Sequence, residues 1–519
     1  MIIPGYDKGS DVLLLDTVYV RPRKLDDRKW TNGTLYLIHK DISTGQKKVS
    51  EINNPSSSVY ITKEELRKNF RTQRAYLHLD EVDEYKVKYK NITKFIKDKI
   101  EEDGVDLEYL KLYDQAKKEV FKWRHSYYSD YDLCDYALTQ AVLNYKPSSL
   151  DTTKSFLDIE VDVYGRGSYE LDDAKCPIHA ISMIFDHEPD GKKTKKPYVF
   201  TLLLRNHVRY KHQKEFEENL NSFIDKCHKE FDKKYCDAKY KIKVFDDESE
   251  LLSTFHALVN LFNSDFTLIW NMPFDIPYIY KRSSELGYNP DEIFSHPDFS
   301  DKFTNYWVDF NYRNDLKNRC DYFDTTSYTR YMCQMSNYAG IRKGRADYGG
   351  NSLDNVAKLE LKEQKREYSK PGITVINGAI EEYENFVLYS INDVWLQYAL
   401  ERRTNDTQVL FEQAYYGGTR ISKTLKQSVY LKNVFAIEYF KLGIVPRNNK
   451  NINYSKYSNC DVEEDENTHD KLDLKGALVG NPELNEHTGV KIFGKRSKYL
   501  FELCMDFDYA SKAPLYINM

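Results

Sequence analysis

Apolar and polar residues alternate over residues 156–161, Phe-Leu-Asp-Ile-Glu-Val, which is the pattern of a half-buried strand. Because side chains alternate between the two faces of a strand, the three aliphatic residues fall on one face. Asp158 and Glu160 share the other face, where two carboxylates about 4 Å apart repel by roughly 4 kcal/mol at an effective dielectric of about 20. A divalent cation would offset this repulsion. The pair alone favours a solvated edge strand, so its interpretation depends on residues downstream.

The hydrophobic pattern predicts strands and helices throughout the chain. In the first 150 residues it predicts strands over 12–20, 34–39 and 58–62 and helices over 64–70 and 91–102. Farther along it predicts a hairpin of strands over 177–185 and 198–204, a strand over 267–270, and helices over 245–262, 352–362 and 380–403. This mixture of strands and helices indicates the α/β (α+β) class.

Length and local composition predict the domain organisation. A chain of 519 residues is long enough for about three domains. A loop rich in Pro, Ser and Thr over 146–153 marks one boundary, and an Asn-rich, acidic stretch over 447–470 has the composition of a linker. We therefore predict an N-terminal domain over 1–150, a second domain over 151–403, a helical connection and linker over 404–470, and the start of a third domain over 471–519.

Composition narrows the class of protein. The net charge of −5 provides no general basic field for nucleic acid, although a basic groove can exist on an acidic protein. The eight cysteines are scattered without a Cys-x-x-Cys pair, which argues against a zinc site or a disulfide framework and fits a reducing compartment. No apolar run reaches the roughly 18 residues of a membrane span. We expect a soluble cytoplasmic protein with no membrane partner.

Two further polar motifs follow predicted elements. Asn271 and Asp275 lie where the strand over 267–270 gives way to a helix, so Asp275 is equally well explained as a helix N-cap or as a ligand at the sheet edge. Tyr389 and Asp393 are four residues apart in a predicted helix and share a face. The structural alternative for this second pair is a tyrosine packed in the core beside a surface aspartate.

The order of these motifs resembles a known family. The segments FLDIEV, WNMPFDIPYI and YSINDVW resemble the three exonuclease motifs of family B DNA polymerases, and CMDFDYASKAPLYINM resembles the first palm motif of that family, D-x-x-S-L-Y-P. Asp508, Ser511 and Pro514 are in register with the palm motif. The layout is closest to the phage branch, including the T-even type. The resemblance is specific over about 150–519 and suggestive over 1–150.

The resemblance implies an RNase H-like 3′→5′ proofreading domain followed by the start of a polymerase palm. It implies that two Mg²⁺ or Mn²⁺ ions are held in the exonuclease site by Asp158, Glu160, Asp275 and Asp393. Tyr389 would orient the attacking water, and Asn271 and Phe274 would surround the frayed 3′ nucleotide. In the palm, Asp508 would be a catalytic metal ligand, and Ser511 and Ala513 would contact substrate.

The chain departs from the family pattern at three places. The second motif is one residue shorter than usual between Asn271 and Phe274. Ala513 replaces the tyrosine that excludes ribonucleotides, so either another residue substitutes for it or this discrimination is relaxed. Residues 415–418, Tyr-Tyr-Gly-Gly, match the family's Y-x-G-G signature but lie far before the palm motif, so we predict a turn between helices there. Residues 474–477 are the better positional match.

We therefore expect the N-terminal portion of a phage-type replicative polymerase that acts on primer-template DNA and single-stranded 3′ ends in the host cytoplasm. The family's second palm aspartate lies in a D-T-D hairpin and its triphosphate-binding lysine in a fingers helix. On that resemblance, dNTP binding and polymerisation would require a second polypeptide docked on residues 499–519. A stand-alone exonuclease would need no palm motif, and a non-catalytic DNA-binding remnant would usually have lost some of the acids.

Overall fold

The computed structural model describes residues 2–23, 32–68, 74, 76–104, 120–164, 173–205, 213–307, 322–342, 350–368, 373 and 375–448, with the backbone of 491–492 and 495–496. Residues 1–342 and 347–452 form one compact unit, and residues 343–346 and 453–519 form a second. Apart from one strand pair over 491–492 and 495–496, the described sheets, the helices and the candidate site belong to the first unit.

The described strands of the first unit are β1 (Val12–Val20), β2 (Thr34–Asp41), β3 (Lys47–Asn53), β4 (Ser56–Thr62), β5 (Tyr76–His78), β6 (Val82–Lys88), β7 (Ser126–Tyr127), β8 (Lys154–Val161), β9 (Ile178–His187), β10 (Lys193–Leu204), β11 (Lys239–Phe245), β12 (Phe266–Ile269), β13 (Thr304–Trp307), β14 (Tyr322–Thr325), β15 (Arg330–Cys333) and β16 (Ile444–Pro446). In the second unit, β17 (Lys491–Ile492) and β18 (Lys495–Arg496) form an antiparallel pair.

The described helices are α1 (Glu64–Arg67), α2 (Ile92–Glu102), α3 (Leu133–Asn144), α4 (Gln213–Glu218), α5 (Leu220–Cys227), α6 (Glu248–Phe262), α7 (Met272–Glu285), α8 (Pro290–Ile293), α9 (Gln334–Ile341), α10 (Leu353–Glu360), α11 (Val375–Glu381), α12 (Tyr383–Thr404), α13 (Asp406–Tyr416) and α14 (Gln427–Lys441). Within the described ranges, none of these helices is both long enough and apolar enough to cross a bilayer.

An eight-stranded mixed sheet forms the centre of the unit, in the order β11-β10-β9-β8-β12-β15-β14-β13. β8, β9 and β10 are antiparallel neighbours, whereas β12 runs parallel to both β8 and β15. The strand with the alternating acids, β8, therefore lies inside the sheet. The alternative interpretation of its sequence, a solvated edge strand, is wrong. Helices cover both faces of the sheet, which confirms the predicted α/β class.

The two faces of β8 pack into different cores. Leu157 and Ile159 are buried with residues of α6 and α7, including Leu252 and Ile276. Phe156, on the opposite face, is buried in the core that contains the apolar residues of α12. The period-2 pattern of the sequence therefore places the acidic face of β8 toward the helix that carries the Tyr-x-x-x-Asp motif.

The structure corrects two predicted helices. The helix predicted over 245–262 begins only at Glu248, because Asp247 caps it by accepting a hydrogen bond from the backbone N–H of Ser249, while the residues up to Phe245 continue β11. The helix predicted over 380–403 is divided between α11 and α12 at Glu382, whose backbone has an extended φ of −141°. The predicted hairpin over 177–204 is confirmed as β9 and β10.

The chain after α12 returns to the N-terminal strands. β16 pairs with β5, and Ala436 of α14 and Val445 of β16 are buried in a core with Leu14 of β1. Residues of α13 instead join the core that covers the central sheet, so the segment over 405–448 contacts both regions. The predicted domain boundaries at residues 150, 403 and 470 stay predictions.

A buried group of opposite charges links β1, β14 and the turn after α13. The Arg420 guanidinium donates hydrogen bonds to the carboxylate of Asp16 at 3.2 Å and to that of Asp324 at 2.9 Å. A second arginine, Arg330, lies 3.6 Å from Asp16. All four side chains are buried, so each charge depends on its partners for stabilisation.

Candidate active site

β8 and α12 bring three carboxylates together. Asp158 and Glu160 project, half-buried, from the face of β8 that α12 covers, and Asp393 is buried at 1% exposure on α12. Candidate ligand oxygens of these three residues all lie within 4.8 Å of one another. The register of α12 on the sheet is fixed by hydrogen bonds, such as that from the Gln397 amide to the carbonyl of Leu157 at 3.3 Å. Sequence alternation and helical spacing thus converge on one cluster.

Asp275, at the start of α7, is not one of the three acids whose ligand oxygens all lie within 4.8 Å of one another, but it is near enough for its charge to raise the pKa values of Asp158 and Glu160. The helix begins at Met272, with Asn271 at the N-cap position, and Asp275 is buried in its first turn. The interpretation of Asp275 as the helix cap is therefore wrong, because the helix begins before it and Asn271 occupies the cap position, without a capping hydrogen bond from its side chain. The Asp275 carboxylate instead accepts a hydrogen bond from the backbone N–H of Ile159 on β8.

The two other residues predicted near the substrate lie at the surface of the same helix end. Asn271 is exposed, and the Phe274 side chain is 38% exposed, which is unusual for a large aromatic residue. The Phe274 ring lies 5.6 Å from that of Tyr278, measured between centroids, and its outer face is accessible. Phe274 is thus adjacent in sequence to Asp275 and still able to contact a ligand.

Burial raises the pKa values of all four acids, and the charges of neighbouring acids add to the rise at Asp158 and Glu160. Burial, followed by the charges of Asp393, Glu160 and Asp275, raises the pKa of Asp158 well above its ordinary value. Burial and the Asp393 charge raise the pKa of Glu160 to about 8, and burial raises that of Asp275 to about 7. Burial also raises the pKa of Asp393. Without added cations, the four groups do not all ionise at neutral pH.

Lys365, which the sequence did not indicate, brings a positive charge into this cluster. Its Nζ lies 2.5 Å from Asp393 Oδ2 and donates a hydrogen bond to the Tyr389 hydroxyl at 3.1 Å. Burial alone would lower the pKa of Lys365, but the charges of Asp393, Tyr389 and Asp158 raise it. The only sequence signal was a Lys- and Glu-rich stretch over 358–367, a composition typical of a solvated loop.

Tyr389 lies beside the carboxylates, one helical turn before Asp393. Burial and the charge of Asp393 raise its pKa, so the phenol stays protonated at neutral pH. The ring of Tyr368 stacks on the Tyr389 ring at a centroid distance of 5.9 Å and an interplanar angle of 18°. The alternative for Tyr389, a tyrosine packed only in the core, is wrong, because the side chain is half-buried and its hydroxyl faces the acid cluster.

The donor set fits a divalent metal ion. Its atoms are carboxylate oxygens, the ligands that Mg²⁺ and Mn²⁺ prefer. One of them, Asp393 Oδ1, is buried without a hydrogen-bond partner in the described part of the chain. A buried carboxylate oxygen that lacks a partner is costly, and a coordinated cation would satisfy it.

The palm residues lie outside the described residues. These are Asp508, Ser511 and Ala513, together with the positional match over 474–477. The predicted turn at 415–418 is confirmed: α13 ends at Tyr416, and Gly418 has a φ of +55°. A Cβ atom on Gly418 would lie 2.8 Å from the Cα of Thr139, so glycine is required where the turn contacts α3.

Comparison with known proteins supports the assignment of this region. Residues 151–318 match the family described as DNA polymerase family B, exonuclease domain. No curated protein matches the chain. The matched range contains β8 and the start of α7, with Asp158, Glu160 and Asp275, whereas Tyr389 and Asp393 lie beyond it. Residues 151–318 therefore form an exonuclease domain of the family B DNA polymerase type.

Proposed function

We propose that the cluster of Asp158, Glu160, Asp275 and Asp393 is the two-metal centre of a proofreading exonuclease that removes nucleotides from the 3′ end of DNA. The observation that carries this proposal is the convergence of carboxylate oxygens from Asp158, Glu160 and Asp393 within 4.8 Å in a chain that carries the family's exonuclease domain. Carboxylates this close together repel one another, which is unfavourable for folding. Bound divalent cations would turn this repulsion into attraction between the carboxylates and the metal.

The four acids would hold Mg²⁺ or Mn²⁺, with two ions in the site. Bound divalent cations supply a water of lowered pKa for attack on the phosphodiester and stabilise the charge that develops on the leaving 3′ oxygen. The residues of the chain determine where these ions and the substrate can lie. Asp275 is fixed by the backbone of β8, and Asp393 by the packing of α12 on the sheet.

Tyr389 has the geometry of a residue that positions water. An ammonium group can only donate hydrogen bonds, so the Tyr389 oxygen accepts the bond from Lys365. Its own hydrogen is donated to the Asp393 carboxylate, a bond that can be exchanged for one to a water in the acid cluster. Because burial raises its pKa, this hydroxyl remains a donor at neutral pH. We propose that it donates to the attacking water, which orients a lone pair of that water toward phosphorus.

The exposed residues at the start of α7 would receive the end of the DNA strand. The accessible face of Phe274 provides a stacking surface for an unpaired base, a contact that tolerates every base. Asn271 is exposed beside it and offers amide donors and acceptors. Because a 3′ end must leave the duplex to reach such a site, a mispaired end enters more readily than a paired one.

The wider assignment rests on the sequence motifs. We propose that the exonuclease serves a phage-type replicative polymerase in the host cytoplasm, with Asp508 as the first palm aspartate. Contacts of Ser511 and Ala513 with a dNTP, and a second polypeptide that would complete the palm and fingers, stay predictions. A stand-alone exonuclease would use the same acid cluster, and primer extension by the chain, alone and with candidate partners, distinguishes the two.

The direction of degradation and its preference for mispairs test the proposal. Single-stranded DNA labelled at its 5′ end should shorten one nucleotide at a time with Mg²⁺ and remain intact with EDTA. A primer with a mispaired 3′ end should be degraded faster than the matched primer. The matched control is Asp190→Asn, which removes an exposed carboxylate from the β9–β10 turn and should retain full activity. Degradation from the 5′ end, or loss in the control equal to that in Asp393→Asn, would refute the proposal.

A further inference from the structure

Lys365 occupies a position that a divalent cation would also need. Its Nζ contacts Asp393 Oδ2 at 2.5 Å, while Asp393 Oδ1 is buried and has no hydrogen-bond partner among the described residues. Asp393 is also one of the three acids whose ligand oxygens converge. One oxygen of the shared carboxylate is thus bound to a cation of the chain itself, and the other is available.

The backbone N–H of Lys365 and the side chain of the next residue hold Lys365 in this position. Its own backbone N–H donates a hydrogen bond to Asp354 Oδ1 at 2.8 Å, at the start of α10. The next residue, Arg366, donates to Asn385 at 3.2 Å on α12 and is paired with Glu230. These contacts keep Lys365 at the acid cluster through interactions that do not involve its ammonium group.

The Lys365 charge acts in opposite directions on the fold and on metal binding. Without metal, one positive charge beside four carboxylates offsets part of their repulsion and stabilises the folded chain. When a divalent cation approaches, the same charge repels it and holds one oxygen of Asp393. A lysine that served only to pack or to orient a loop would not oppose metal binding.

We propose that Lys365 is a resident cation that competes with the divalent metal for Asp393 and so sets the metal concentration at which the nuclease becomes active. This inference rests on the proposed function, because it assigns Asp393 to the metal centre. It also predicts that Lys365 shifts away from Asp393 Oδ2 when metal binds, toward the negatively charged DNA backbone or toward Tyr389.

The test compares metal binding and thermal stability in the full chain. Lys365→Met removes the charge at nearly constant side-chain length, and Lys365→Arg retains it. Lys214→Met is the matched control, because it removes an exposed lysine of α4 that pairs with Glu218 on the same helix. Mn²⁺ binding is measured from the electron paramagnetic resonance signal of free Mn²⁺, and melting temperatures are recorded in EDTA and in saturating Mn²⁺.

We expect the Kd of Lys365→Met for Mn²⁺ to fall by about tenfold or more, equivalent to about 1.4 kcal/mol, while its melting temperature in EDTA falls. Lys365→Arg and Lys214→Met should bind Mn²⁺ no more tightly than the original chain. An unchanged or higher Kd for Lys365→Met would overturn the inference while leaving the exonuclease assignment standing. If the original chain bound no Mn²⁺ and degraded no DNA, the proposed function and this inference would fail together.

Discussion

Replacing one acid of the cluster should stabilise the metal-free chain, contrary to the usual effect of a substitution at a buried site. Glu160 is the most informative position, because burial and the Asp393 charge raise its pKa from 4.5 to about 8. Glutamine has nearly the same shape and carries no charge. In Glu160→Gln the chain therefore no longer has to protonate this group, or bury its charge, when it folds.

The size of the effect follows from proton linkage. At pH 7 Glu160 is ionised in the unfolded chain, because this pH lies about 2.5 units above its ordinary pKa of 4.5. In the folded chain, where its pKa is about 8, it is largely protonated. Each unit corresponds to about 1.4 kcal/mol, so the upper limit is about 3 kcal/mol. Because Glu160 is half-buried and its neighbours share the proton, we expect a gain of about 1–3 kcal/mol, or about 2–6 °C in melting temperature.

The pH dependence gives the sign of the effect. Between pH 4.5 and about 8 the folded state binds more protons than the unfolded state, so the original chain loses stability as the pH rises through this window. Below pH 4.5 both states are protonated at Glu160, and the advantage of Glu160→Gln should vanish. The measurement is thermal unfolding in EDTA at pH 4.5 and pH 8, with chain concentration held constant.

A matched substitution separates this effect from a general loss of negative charge. Glu250→Gln removes an exposed glutamate from the first turn of α6, where a negative charge is favourable, and should bring no gain in stability. Saturating Mg²⁺ should reverse the order, because Glu160→Gln has lost a proposed ligand. If Glu160→Gln were less stable than the original chain at pH 8 in EDTA, the account of the cluster as strained would be wrong.

Two other substitutions test separate parts of the account. Tyr389→Phe should slow hydrolysis roughly 100-fold while leaving the Kd for Mn²⁺ nearly unchanged, because it removes a positioning hydroxyl and no ligand. A large loss of Mn²⁺ affinity in titration would mean that Tyr389 has another role. Arg420→Met should lower the free energy of unfolding by about 3–5 kcal/mol, because the buried carboxylates of Asp16 and Asp324 lose the guanidinium that binds both of them. A loss below about 1 kcal/mol in urea denaturation would contradict this.

The acids of the site could be predicted because local periodicity determines their placement. Alternation in β8 placed Asp158 and Glu160 on one face, and helical spacing placed Tyr389 and Asp393 together on α12. Asp275 was correctly placed at the start of a helix, and of its two equally supported interpretations, cap and ligand, the cap is wrong. The helix begins at Met272, a difference of one turn that local sequence does not resolve.

Lys365 could not be predicted, because neither strand nor helix periodicity governs its position. It lies in the irregular segment after α10, which crosses the acid cluster only because Asp354, Asn385 and Glu230 hold its backbone and the next side chain. Asp354 and Asn385 belong to two different helices, and Glu230 lies 136 residues from Arg366 in sequence. The sequence alone shows only a charged stretch, for which solvent exposure is the usual expectation.

Single-turnover hydrolysis by Asp158→Asn tests the central claim most directly. The substrate is single-stranded DNA labelled at its 5′ end, with Mg²⁺ in excess, and Asp190→Asn is the control. If Asp158 contributes several kcal/mol through the metal centre, the rate of 3′ nucleotide removal should fall roughly 1,000-fold or more, while the melting temperature in EDTA stays equal or rises. A rate within a factor of a few of the original chain would contradict the assignment of the cluster as the exonuclease centre.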